Sequence, residues 1–253
     1  MVKSKHYNNM GITSFSTGLI NRVLDNRNDI HAVIELGAQN LYDRDYPSGP
    51  PYADEFYTRR GLTYTCIDLS AENGAKVIDL SEPVAVSTQY DLVTDFGTSE
   101  HVKGIYNCWK TKHDLLRVGG VMISENPKVG NWPGHGYHYY TQDFYTALAE
   151  QAGYKIIEIG EHPAMGNVTD GWNIYCVMEK VEDKPFPSEA EWTAPTPGPK
   201  YLDETQPVEN IAKAIEKDKA AAAKPRIKVN NRKLKPSATK VAVKGKKGSS
   251  KKK

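Results

Sequence analysis

Four carboxylates lie at the ends of apolar segments, namely Glu35, Asp68, Asp79 and Asp95. If these segments are neighbouring parallel strands, their carboxyl ends meet at one edge of a sheet, where such sheets bind their ligands. Asp68, at the second strand end, can accept hydrogen bonds from both hydroxyls of a ribose. Asp79 is placed to accept one from the amino group of an adenine. Each acid alone could equally be a loop or helix-cap residue, but three on successive strand ends favour a binding site.

A second group of reactive side chains lies in the loop 131–140, N-W-P-G-H-G-Y-H-Y-Y. Histidine titrates near neutral pH, so His135 or His138 can serve as a general base, and His101 is a further candidate. We take His101, His135 and Tyr137 as the residues facing an acceptor. The His135-x-x-His138 spacing is also half of a metal site, but the sequence places no carboxylate beside it. No metal site is therefore predicted.

Short apolar runs and helix signals predict the elements that position these residues. The predicted strands are 30–36, 62–69, 76–80, 90–96, 120–124, 154–159 and 172–179. Helices are predicted over 99–116 and 141–152, the second beginning at a Thr141 cap and ending at Gly153. Strand–helix alternation is typical of a mostly parallel sheet with helices on both faces. The last two strands have no clear helix between them, so an antiparallel hairpin is expected there.

Five segments form an ordered set of motifs. They are E-L-G-A-Q-N at 35–40, T-C-I-D-L at 65–69, V-I-D-L at 77–80, Y-D-L-V-T-D-F-G-T-S-E-H-V at 90–102 and L-L-R-V-G-G at 115–120. Across residues 28–180 this set resembles the class I S-adenosylmethionine-dependent methyltransferases. The resemblance implies an α/β fold, a doubly wound, mostly parallel seven-stranded Rossmann-like sheet with an antiparallel last strand. It also implies S-adenosyl-L-methionine as the cofactor.

The resemblance further implies which residues contact the cofactor, and these are Glu35, Gly37, Ala38, Asp68, Leu69, Asp79, Leu80, Asp95, Phe96 and Gly97. On the acceptor side it places His101, although in this family the histidine also serves as a packing residue at the start of a helix. This sequence departs from the family pattern at Ala38 and Gln39, where the family has further glycines. Their side chains leave less room for the cofactor to approach the backbone of the turn. The absence of G-x-G-x-x-G argues against a nicotinamide dehydrogenase.

The sequence therefore predicts a methyltransferase that acts on a small-molecule or saccharide-like acceptor. Methylation of base amino groups in nucleic acids has its own signature, an Asn/Asp-Pro-Pro-aromatic stretch, and D-F-G-T stands there at 95–98 instead. Two alternatives stay open. One is an RNA or DNA methyltransferase assisted by a basic tail, and the other is a catalytically silent Rossmann-like scaffold that binds polyanions.

Charge is distributed unevenly along the 253 residues, although the net charge is only +2. Residues 1–180 carry −7, residues 181–210 carry −5 and residues 211–253 carry +14. Within the last segment, residues 224–253 hold 13 basic side chains and no acidic one. We predict a disordered Lys-rich tail there, which either binds nucleic acid or another polyanion non-specifically or only keeps the chain in solution.

Composition also predicts the organisation of the chain and its compartment. We expect an N-terminal segment with a helix at 1–27, a methyltransferase-like domain at 28–180, an extended, acidic, Pro-rich linker at 181–206, a helix at 207–223 and the tail at 224–253. The three cysteines have unrelated spacings, which is typical of a reducing compartment. No apolar run reaches the roughly 20 residues that span a membrane. A cytoplasmic location without a membrane span is therefore expected.

Overall fold

The computed structural model describes residues 11–42, 52–132, 135–164, 171–193 and 200–201. In chain order the elements are β1 (Gly11–Thr13), α1 (Ser14–Asn26), β2 (Ala32–Leu36), β3 (Asn40–Tyr42), α2 (Ala53–Thr58), β4 (Thr63–Asp68), β5 (Lys76–Val77), β6 (Tyr90–Phe96), α3 (Ile105–Leu115), β7 (Leu116–Pro127), β8 (His138–Tyr139), α4 (Gln142–Ala152), β9 (Tyr154–Pro163), β10 (Trp172–Lys180), α5 (Glu189–Thr193) and β11 (Lys200–Tyr201). The predicted helix at 207–223 and the tail at 224–253 lie outside the described residues.

Seven strands form the central sheet in the order β5-β4-β2-β6-β7-β10-β9. The five strands from β5 to β7 are parallel to their neighbours, whereas β10 is antiparallel to both β7 and β9. The predicted seven-stranded, mostly parallel sheet with an antiparallel last strand is therefore confirmed. Because successive parallel strands end at the same edge, the turns after β2, β4 and β6 meet there.

Helices cover both faces of the sheet because its strands are apolar on both sides. Along β2, Val33 packs with α1 and α2, whereas the next residue, Ile34, packs with α3 and α4. Side chains of a strand alternate between the two faces, and this alternation separates the core into two clusters. The doubly wound arrangement follows from that pattern.

Local signals set the ends of two helices. Thr141 accepts a hydrogen bond from the Phe144 N–H at the start of α4, and Gly153 ends it in the left-handed conformation at φ 73°. Both were predicted from the sequence. The helix predicted over 99–116 is instead a 3₁₀ turn at Ser99–His101 followed by α3, with extended backbone at Val102 between them. Between the two helical segments the chain passes close to Ser81 at Gly104, where a Cβ atom would lie 2.2 Å from the Ser81 carbonyl oxygen.

The packed unit extends beyond 28–180 at both ends. The helix expected in 1–27 is α1, whose Leu19 and Ile20 are fully buried. The prediction of extended chain over 181–206 is wrong at α5, where Ser188 and Glu191 exchange side-chain hydrogen bonds with each other's backbone N–H groups. Trp192 is buried in the core with Phe144, and burial of this large ring favours the short helix. No helix among the described residues is long and apolar enough to cross a membrane.

A buried ion pair joins β6 to α3 in the middle of this fold. The Lys112 ammonium donates to Asp95 Oδ2 and to Ser124 Oγ, each at 2.8 Å, and both charged side chains are fully buried. Burial by itself raises the pKa of the Asp95 carboxyl. The charge of Lys112 and its hydrogen bond outweigh that effect, so the pKa lies below its usual value.

Removing one partner of this pair should strongly destabilise the protein. We expect Lys112→Met to lower the free energy of unfolding by about 3–5 kcal/mol, because Asp95 is left as an uncompensated buried charge. Lys110→Met is the matched control on the same helix, since Lys110 pairs with Asp114 and is 45% exposed. That change should cost less than about 1 kcal/mol. Chemical denaturation at pH 7 measures both, and equal losses would contradict the assignment.

Candidate functional site

A cavity of about 300 Å³ opens at the carboxyl edge of the parallel strands. Its walls are residues 37–39 after β2, 67–69 at the end of β4, 78–81 after β5, and 97–98 with 101–102 after β6. That volume is at the lower end of the range of small-molecule pockets in proteins. Four neighbouring turns thus build one site at the edge where the sequence placed it.

Most of the predicted cofactor residues line this cavity, and they are Gly37, Ala38, Asp68, Leu69, Asp79, Leu80 and Gly97. His101 lines it as well, from the acceptor group. Three predicted cofactor residues do not, because Glu35, Asp95 and Phe96 have their side chains inside the protein. His135 and Tyr137 are also not among the lining residues.

The turn after β2 depends on Gly37, which has φ +83°. A Cβ atom there would lie 2.5 Å from both Gln39 Nε2 and Thr98 Oγ1. Gln39 donates through this amide nitrogen to the Leu36 carbonyl at 3.1 Å and to Thr98 Oγ1 at 2.9 Å. The side chain of Gln39 therefore holds the turn closed against the loop after β6.

Comparison of Gly37 with a glycine elsewhere in the chain, Gly61, separates the cost of steric crowding from the cost of backbone strain. Gly61 has φ +78°, but a Cβ atom there would have no neighbour within 4 Å. Gly61→Ala therefore adds only backbone strain and should lower the free energy of unfolding by about 1 kcal/mol. We expect Gly37→Ala to cost about 1–3 kcal/mol more in the free energy of unfolding, because its Cβ also displaces Gln39 and Thr98. Chemical denaturation of the two variants tests this, and equal costs would show that the turn adapts.

Asp68 holds the other side of the turn. Its Oδ2 accepts from the Ala38 N–H and its Oδ1 from the Ser70 N–H, both at 2.8 Å. An ionised carboxylate has about four acceptor positions, so this half-buried group can still accept from a ligand. Asp79 is exposed at the rim and accepts from the Ser81 N–H at 2.9 Å. The two predicted acids thus both retain acceptor capacity facing the cavity.

Asp95 acts on the cavity indirectly. Its Oδ1 accepts from the backbone N–H groups of Thr98 and Ser99, both at 3.1 Å, and its Oδ2 pairs with Lys112. The cofactor contact predicted for Asp95 is corrected to a positioning role, because its fully buried carboxylate holds the turn that carries Thr98 and His101. Phe96 is also corrected, since it packs on the opposite face, beside α1 and α2.

Glu35 lies on that same opposite face. Its carboxyl accepts from the hydroxyls of Tyr64 at 2.7 Å and Tyr57 at 3.3 Å. Burial raises the pKa of this fully buried group to about 8, and the tyrosine hydrogen bonds offset only part of that effect. Glu35 is therefore corrected from a cofactor contact to a protonated core residue at neutral pH.

The raised pKa of Glu35 predicts a pH dependence of stability. Between its ordinary value of 4.5 and about 8 the folded state keeps a proton that the unfolded state releases, so stability falls as pH rises. We expect Glu35→Gln to remove this loss, which is of order 1 kcal/mol per pH unit. Denaturation of wild type and variant from pH 5 to 8 tests it. The exposed Glu72→Gln should follow wild type, and parallel curves for all three would contradict the prediction.

A cluster that the sequence did not predict lies beside the cavity. Glu100 is fully buried, and its Oε1 is 3.6 Å from Nε2 of His101 and 3.6 Å from Nε2 of His135. Desolvation lowers the pKa of His101, although 39% of its side chain remains exposed. The signal that could have revealed Glu100 was its position next to His101 in the S-E-H segment.

Two other residues of the 131–140 loop, Tyr137 and His138, contact the turn that carries this cluster. Tyr137 donates its backbone N–H to the Glu100 carbonyl oxygen at 2.7 Å. His138 is fully buried, and its Nε2 lies 2.9 Å from the Val102 carbonyl oxygen. Burial lowers the pKa of His138 to about 4, so its ring is neutral at pH 7. His138 is therefore a structural residue, and the His135–His138 half-site considered from the sequence does not form.

The comparisons with known proteins concern the fold. No family model and no curated protein matches the sequence. Among solved structures, the chain is similar to 1,6-didemethyltoxoflavin-N1-methyltransferase of Burkholderia thailandensis, with TM-score 0.50 and 14% identity over 67% of this chain and 78% of that one. It is also similar to the N-methyltransferase NodS of Bradyrhizobium japonicum, with TM-score 0.46 and 12% identity over 66% and 94%. The chain has the fold of the class I S-adenosylmethionine-dependent methyltransferases.

Proposed function

We propose that this protein transfers a methyl group from S-adenosylmethionine to a small-molecule acceptor. The observation that carries the proposal is the cavity at the carboxyl edge, where Gly37, Asp68 and Asp79 come together. The Burkholderia protein is described as binding 1,6-didemethyltoxoflavin and S-adenosylhomocysteine. The shared fold and the small ligand of the Burkholderia protein support a small-molecule acceptor for this chain as well.

The cavity residues suit the parts of this cofactor. Asp68 would accept from the ribose hydroxyls with the lone pairs that Ala38 and Ser70 leave free. Asp79 would accept from the adenine amino group at the rim. Leu69 is 59% exposed beside the cavity, and an apolar side chain there can cover the face of an adenine ring. No residue of the described walls supplies a positive charge that would oppose a sulfonium.

Methyl transfer asks little covalent chemistry of the protein. When bound, S-adenosylmethionine supplies a methyl group on a positively charged sulfur, and the chain must align an acceptor with it. The chain's own part would be to hold the acceptor in line with that methyl group and to receive the proton that the acceptor loses. Burial lowers the pKa of His101, which lines the cavity, and this favours its uncharged form. His101 is therefore the acceptor-side residue that borders the cavity, and His135 and Tyr137 belong to the same predicted group.

Titration calorimetry with S-adenosylhomocysteine tests the cofactor site. We expect the full-length protein to bind this product and Asp68→Asn to bind it at least tenfold more weakly, because a hydrogen bond to a charged group is worth about 1.5–3 kcal/mol. Asp25→Asn is the matched control, since Asp25 is an exposed acid on α1. It should bind like wild type. No binding by wild type at millimolar product would overturn the proposal.

The acceptor class needs a separate measurement. Incubation with labelled S-adenosylmethionine and a fractionated cell extract should put label into the low-molecular-weight fraction. A saccharide acceptor would then be recognised because glycosidase treatment moves the label to a smaller methylated sugar with a different chromatographic position. Label confined to RNA or DNA would contradict the small-molecule proposal and favour the nucleic-acid alternative.

A further inference from the structure

Three metal-ligating side chains meet at the inner side of the cavity. Glu100 and His101 belong to the 3₁₀ turn after β6, and His135 belongs to the connection between β7 and β8. One ligand atom from each lies within 4.8 Å of the other two. Residues 35 positions apart in the chain are therefore brought to one point, beside a residue that lines the cavity.

The buried atoms of this cluster lack ordinary partners. Glu100 is fully buried, and its Oε1 has no hydrogen-bond partner among the residues that the structure describes. The Nε2 atom of His135 is likewise buried and unpartnered within the described chain. At 3.6 Å the two atoms are too far apart to bond to each other. Because an unsatisfied buried carboxylate oxygen is costly, this arrangement points to a third species between them.

The donor set and its dimensions fit a divalent transition-metal ion. Two imidazoles and one carboxylate are the ligands of many catalytic zinc sites and of non-haem iron sites. Donor atoms at 2.0–2.2 Å from a tetrahedral ion are about 3.3–3.6 Å apart. Both distances from Glu100 Oε1 are 3.6 Å. The ligand nitrogen atoms of His101 and His135 are farther apart, within 4.8 Å. The His101 side chain is 39% exposed, so it has room to move toward the ion.

Neighbouring groups hold Glu100 and the His135 loop in place. Asn126 donates its Nδ2 to Glu100 Oε2 at 3.2 Å and accepts from the Tyr145 hydroxyl at 3.0 Å. This leaves Oε1 as the free oxygen of Glu100. Gly136 packs on Glu100 so closely that a Cβ atom there would lie 2.9 Å from its carbonyl oxygen. The His135 loop is therefore seated on Glu100 by its backbone. Ligands held by hydrogen bonds and packing of this kind are typical of metal sites.

We propose that Glu100 Oε1, His101 Nε2 and His135 Nε2 bind a divalent transition-metal ion at the acceptor side of the cavity. Three protein ligands leave at least one coordination position open, as in catalytic sites. The positive charge favours the ionised form of a bound hydroxyl, so the acceptor is an oxygen nucleophile with adjacent hydroxyl or carbonyl oxygens. This statement about the acceptor rests on the proposed methyl transfer, whereas the ion site does not.

Cobalt(II) titration of the full-length protein, freed of metal with a chelator, tests the site. We expect one equivalent to bind, with a visible spectrum of a low-coordinate ion, and zinc to displace it. Glu100→Gln and His135→Ala should each weaken binding at least tenfold, within the usual range for loss of a ligand or its support. His31→Ala is the matched control, because His31 is exposed outside the cluster. It should bind like wild type.

Each remaining outcome decides a part of the proposal. Failure of wild type to bind one equivalent, or binding unaffected by both variants, overturns the ion site. If Glu100→Gln does not fold, His135→Ala decides alone, because only a loop imidazole is removed. Normal S-adenosylhomocysteine binding by His135→Ala separates the ion site from the cofactor site. Catechol, as a probe with two adjacent hydroxyls, should shift the cobalt spectrum, and no shift would overturn the acceptor statement.

Discussion

The ion pair between Asp95 and Lys112 is the interaction on which the site depends. A charged group inside a sheet that is apolar on both faces must be paired and hydrogen-bonded, or it destabilises the fold. Here one carboxylate oxygen takes the ammonium of α3, and the other accepts from the N–H groups of Thr98 and Ser99. The carboxylate whose charge Lys112 neutralises therefore also fixes, through its other oxygen, the turn that walls the cavity.

Asn126 extends this constraint from the core to the acceptor side. Its Nδ2 lies within hydrogen-bonding distance of Asp95, Ser99 and Glu100. The carboxylate that faces the two histidines is thus connected, through one amide, to the carboxylate that pairs with Lys112. Because every member of this network is buried, a change at one position alters the partners of the next. Core stability and the geometry of the candidate site are set by the same few side chains.

Two carboxylates on adjacent strands show how the surroundings decide the role of an acid. Glu35 pairs in register with Thr94, and Asp95 is the following residue on β6. Alternation along the strands puts Glu35 among tyrosines on one face and Asp95 beside Lys112 on the other. Burial raises the pKa of Glu35 to about 8, whereas pairing with Lys112 lowers the pKa of Asp95 and so favours its ionised form. The same side-chain chemistry thus serves as a neutral core group and as a charged anchor.

The sequence by itself determined the seven strands of the central sheet, the ends of α4 and the edge at which the parallel strands end. Apolar runs predicted seven strands, Thr141 and Gly153 predicted the ends of α4, and Asp68 and Asp79 were placed at one edge because local propensity and strand alternation act over a few residues. Tertiary structure decided which acids face the cavity. It also decided that burial of Trp192 favours a short helix and that Glu100 lies beside His135. Those outcomes depend on contacts between distant segments, where burial and hydrogen bonding, not local pattern, set the energy.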